Sequence, residues 1–129
     1  MKYKSINHLS ERAAEMIRFR LNDDLCDVTI TAGEGKIRAH KLVLAASSPY
    51  FETMFTGDFP ESNQSEVTIR EVDPEAMETL IEFCYTATVK IDESNVQSLL
   101  PAACLLQLAE IQVKSGNSVS RLSNNGDDV

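Results

Sequence analysis

The stretch Asp27-Val28-Thr29-Ile30-Thr31-Ala32-Gly33-Glu34-Gly35-Lys36-Ile37-Arg38-Ala39 decides the fold. Its first five residues alternate with period two, so one face is apolar and the other polar, as a half-buried strand requires. Ala32-Gly33-Glu34-Gly35 supplies turn chemistry, and Ile37 and Ala39 resume the alternation, which predicts a β-hairpin. Before the hairpin, Leu9, Ala13, Met16, Ile17 and Phe19 recur at helical spacing between charged residues from His8 to Leu21, predicting an amphipathic helix. Its apolar stripe can cover the chain's own core or a second subunit.

After the hairpin, Lys41 to Ala46 is a short, nearly all-apolar helix expected to be buried. Ser48-Pro49 restarts a helix, because the hydroxyl can accept a free amide hydrogen and Pro has no amide to satisfy. Phe51, Met54 and Phe55 share one face of it as far as Gly57, and Glu66-Val67-Thr68-Ile69-Arg70 alternates as a third strand. Asp73-Pro74 opens another helix, with Met77, Leu80, Ile81, Cys84 and Tyr85 at i, i+3, i+4, i+7 and i+8. Thr88 to Ile91 alternates as a short strand. Ser94 and Gln97 form a capping box for a helix burying Val96, Leu99, Leu100, Ala103 and Leu106, with Pro101 expected to loosen one turn. Beyond Gln112 the chain is rich in Ser, Asn and Gly, and residues 113–129 are predicted to form a disordered polar tail behind a domain spanning 1–112.

A chain of 129 residues with 43% apolar residues suits one hydrophobic core. A formal charge of −8 with scattered Lys and Arg argues against nucleic-acid binding, which needs clustered cations to displace counterions. The acidic run between Glu52 and Glu93 reads as a solvated face, with a docking surface for a basic partner as the alternative. Cys26, Cys84 and Cys104 are odd in number and widely spaced, as for buried thiols in a reducing compartment. The amino terminus lacks the apolar core of a signal peptide, and no apolar run nears the roughly 20 residues that span a bilayer. A cytoplasmic protein is expected, with the nucleus as a second compartment.

Catalytic chemistry is not written in the sequence. His8 and His40 lie at a helix start and a strand end without a nucleophile motif, and no metal-ligand spacing or phosphate loop occurs. The Asp23-Asp24 pair has nothing to shift it into a working range. The expectation is a non-enzyme without cofactor, metal or small-molecule substrate.

Leu25-Cys26-Asp27-Val28-Thr29-Ile30, Ala39-His40-Lys41-Leu42-Val43-Leu44-Ala45, Ser48-Pro49-Tyr50-Phe51, Met54-Phe55-Thr56-Gly57 and Asn95-Val96-Gln97-Ser98-Leu99-Leu100-Pro101 through Leu108 together resemble the BTB/POZ domain of Kelch-like proteins. The resemblance runs from about His8 to Gln112. It implies an α+β fold with a small three-stranded sheet flanked by helices, and a homodimer whose seam holds Leu9, Ala13, Met16, Phe19, Leu42 and Val43. Asp27, His40 and Lys41 match a polar cluster at the floor of that seam, where they either bind a partner or hold the hairpin.

The resemblance also implies docking of a cullin-3 scaffold as part of a ubiquitin-ligase adaptor. Phe59-Pro60-Glu61 matches the family's apolar-x-Glu docking motif, with Met54 and Tyr85 as neighbours. Thr53 stands where the family often has Ala. The match ends early, which suggests a truncated product that lacks a substrate-binding region, exposes part of Leu105, Leu106, Leu108 and Ile111, and pairs with itself or with longer Kelch-like relatives. Co-repressor recruitment, performed by the same fold in zinc-finger proteins, is the alternative, and an unstable splice product is a third.

Overall fold

The computed structural model describes residues 1–57 and 63–127, with side chains as far as residue 119. Helix α1 spans His8–Leu21, and the hairpin follows as β1 (Val28–Ala32) and β2 (Gly35–Ala39). They pair antiparallel with Ile30 opposite Ile37. At the turn Gly33 has φ +57°, and a Cβ there would lie 3.0 Å from Pro74 Cγ. Glycine is required on both counts, since L side chains avoid this conformation.

The chain then forms α2 (Lys41–Ser47) and α3 (Pro49–Thr56) before β3 (Glu66–Ile69) returns to the sheet parallel to β1, giving the order β2-β1-β3. A parallel return requires a crossover, and α2 and α3 lie within it. Helices α4 (Pro74–Thr86), α5 (Val96–Leu106) and α6 (Ala109–Asp127) complete the fold. Val28, Ile30, Leu44, Phe51, Met77, Leu80, Ile81 and Leu106 are fully buried in one core.

The start signals act as their chemistry requires. Ser48 Oγ accepts the Phe51 amide at 3.3 Å and donates to the Leu106 carbonyl at 2.7 Å, so one buried hydroxyl ties the start of α3 to the end of α5. Asp73 caps α4 through the Ala76 amide at 3.0 Å.

Several expectations are corrected. The polar tail expected from residue 113 is instead the greater part of α6, and residues 128–129 lie outside the described residues. Gln107, at φ +58°, ends α5 with the Gln107 amide on Cys104 O and the Leu108 amide on Ala103 O, a Schellman turn that starts α6 back across α5. Leu106, Leu108 and Ile111 are therefore buried and not left open. Thr88 to Ile91 is not a strand, although Val89 and Ile91 pack on the core. The Ser94–Gln97 box is replaced by Asp92, whose Oδ1 accepts the amides of Ser94 and Asn95 and the Ser94 hydroxyl. Helix α2 buries only Leu44. Cys26 and Cys84 are half-buried and Cys104 is exposed, all three as free thiols.

Candidate interaction surface

Helix α1 buries no residue in the fold, and Leu9 is 82% exposed. Ile17 of its apolar stripe packs on the core, while Leu9 and Met16 stay exposed and Met16 and Phe19 face α2, where Leu42 is 79% exposed. Between the two helices runs an open groove of about 320 Å³ lined by Met16, Phe19, Leu25, Leu42 and Val43, with Asp27 and His40 at its floor. Four of the six expected seam residues, and two of the three in the polar cluster, are thus brought to one place. Leu9 and Ala13 continue the ridge toward the start of α1, Ala13 half-buried. Apolar side chains left in water at this density mark an association surface.

The floor is organised by hydrogen bonds. Asp27 Oδ1 accepts the Lys41 amide at 2.8 Å, and the Asp27 amide donates to Ala39 O, so Asp27 holds the end of β2 and the start of α2. The Lys41 ammonium lies 5.5 Å over the Phe55 ring on α3, away from the groove lining. His40 Nε2 is 2.9 Å from the Asp24 carbonyl, which can only accept; Nε2 therefore carries a proton, and in the neutral ring Nδ1 accepts. The donor to Nδ1 is the Tyr85 hydroxyl, 2.6 Å away, which also accepts the His40 amide at 2.9 Å. Arg38 braces the hairpin by donating to Asp23, Thr29 and the Cys26 carbonyl. Its hydrogen bond holds the Asp23 carboxyl below the usual range.

Tyr85, expected beside Met54 on the cullin-facing side, is a correction: it is 5% exposed and engaged with His40 behind the groove. Burial pushes its phenol up to about 12. Met54 is half-buried on α3. Phe59 and Glu61 lie outside the described residues. Leu25 is the groove residue that the helical and strand periodicities did not single out. It sits between elements at φ +62° and is 78% exposed. The one available signal was a large apolar residue following the acidic pair Asp23-Asp24.

Glu75, Glu78 and Glu82 line a separate hollow of about 320 Å³ between α4 and the start of α5, open to water. No group of three or more His, Cys, Asp or Glu residues suited to a metal occurs among the described residues, and none of their helices is long and apolar enough to cross a membrane.

A small α+β domain with an outward apolar groove over a hydrogen-bonded floor is a protein–protein interaction module. The family model for the BTB/POZ domain matches residues 16–121. Among solved structures, the BTB domain of zebrafish PATZ1 is similar with a TM-score of 0.82 and 25% identity, over 94% of this chain and 98% of that one. The chain belongs to the BTB/POZ domain family.

Proposed function

We propose that this BTB/POZ domain is of the Kelch-like type, pairs with a second copy through the groove between α1 and α2, and docks cullin-3 through its Phe59-Pro60-Glu61 motif together with Met54. The observation that carries the pairing is the groove itself: Met16, Phe19, Leu42 and Val43 meet there, and among the described residues none covers Leu42, which is 79% exposed. Burying such side chains against a twin contributes about 1.5–3 kcal/mol for each one fully covered. In a two-fold pair each groove meets the other's ridge. Cullin docking is supported by the Phe59-Pro60-Glu61 motif, in which an aromatic fills a partner pocket while the carboxylate accepts hydrogen bonds. This role places the protein in the cytoplasm.

Light scattering at micromolar concentration is expected to give twice the chain mass, and Met16→Asp with Phe19→Asp to give a monomer with a native circular dichroism spectrum. Calorimetry with the amino-terminal region of cullin-3 is expected to show binding that Phe59→Ala and Glu61→Lys abolish while the dimer persists. A monomeric parent chain overturns the pairing, and a dimer that gives no heat with cullin-3 overturns the docking.

A further inference from the structure

Both helices that flank the groove touch one buried side chain. Tyr85 lies in the last turn of α4 and is 5% exposed. Its ring carries the Arg20 guanidinium at 5.4 Å, from the last turn of α1. Its hydroxyl takes the His40 amide and donates to His40 Nδ1, at the residue immediately before α2. The ring therefore braces the α1 wall and the hydroxyl braces the α2 wall.

We propose that Tyr85 is the positioning residue of the pairing surface: its hydroxyl fixes the His40 ring at the groove floor and so sets where α2 presents Leu42 and Val43 to a second copy. This rests on the self-association reading given above. The hydroxyl is suited to the task because it is both donor and acceptor at one atom, and His40 offers it one of each. The third His40 contact, Nε2–H to the Asp24 carbonyl, fixes the ring from the other edge, so the imidazole is held at both nitrogens. Without the hydroxyl, Nδ1 has no donor and the amide at the α2 cap loses its acceptor. The aromatic packing against Arg20 survives that loss, so a Phe at this position isolates the hydroxyl.

The test uses the full chain. In Tyr85→Phe the dimer dissociation constant is expected to rise roughly tenfold, as removal of two hydrogen bonds beneath an interface implies. Thermal melts in the monomeric Met16→Asp, Phe19→Asp background separate this from loss of fold. Nitrogen-15 spectra of the parent imidazole should report Nε2 protonated and Nδ1 accepting, with the Nδ1 signature lost in Tyr85→Phe. His40→Ala should weaken the dimer as well, and adding Tyr85→Phe to it should weaken the dimer by less than Tyr85→Phe does in the parent, because only the contact to the residue-40 amide is left to lose. Should Tyr85→Phe fail to fold, His40→Ala in the same assay tests the same contact. A parent dimer whose dissociation constant changes less than twofold in either variant overturns the positioning role and leaves self-association standing. A monomeric parent overturns self-association and the positioning role with it.

Discussion

Leu25 is held at φ +62°, a conformation that costs a non-glycine residue about 1–2 kcal/mol, and its side chain is 78% exposed at the groove. Within a single chain neither feature is stabilising. Leu25→Gly is therefore expected to leave the melting temperature of the monomeric Met16→Asp, Phe19→Asp variant unchanged or raise it slightly, while weakening self-association of the parent roughly tenfold through loss of about 1.5 kcal/mol of burial. Equal losses in both measurements would contradict this division. Tyr85 makes the second residue-scale expectation. Its phenol is raised by burial from 10.0 to about 12, so the protonated form is favoured in the fold. The stability this provides is complete below pH 10 and is lost as pH climbs towards about 12. Cys84, pushed up by burial from 9.0, starts the decline somewhat earlier. Denaturant midpoints between pH 8 and 11.5 should fall, and Tyr85→Phe should flatten the upper part of that profile. Tyr85 also shows how residue roles hide in sequence. Its place at i+8 of the α4 stripe already pointed inward, and the docking role came from the family resemblance alone.

Ser48 links two helices through one oxygen, and its loss should be felt by both. Ser48→Ala removes the α3 cap and leaves the buried Leu106 carbonyl without its donor. The expected cost is about 2 kcal/mol, read from urea unfolding, against about 1 for the single cap at Asp73→Ala. Elements with strong periodicity were legible before the fold was known. Helix α1, the hairpin, β3 and α4 stand where the spacing put them, because each buries or displays one face and the pattern records that face. Helix α6 was not legible. Past Ile111 its inward face carries Ser115, fully buried with a hydroxyl that finds no partner among the described residues, so composition reads as polar where packing is close. Thr88 to Ile91 misled in the opposite sense: alternation there records Val89 and Ile91 turning toward the core, and pairing needs a neighbour that alternation does not supply. The groove was half legible, since an apolar stripe on α1 was visible but whether it faced inward or outward was not.

The whole molecule carries −8, so joining two copies brings together two like-charged bodies through an apolar contact. Salt shortens the reach of the repulsion and leaves the apolar contact intact. The dimer dissociation constant should therefore fall as ionic strength rises from about 0.02 to about 0.2 M, as sedimentation can measure; a rise would mean that specific ion pairs dominate the contact. The sheet has a consequence of another kind. Its central strand is complete by Ala32, yet the parallel neighbour is not finished until Ile69, with α2 and α3 made in between. During synthesis the finished hairpin must wait with one flank of β1 unzipped while the thirty residues from His40 to Ile69 leave the ribosome. Distant pairings of this sort form late and slowly. A growing chain is most open to proteases and to mispairing with neighbouring nascent chains during that interval, before the last strand closes the sheet.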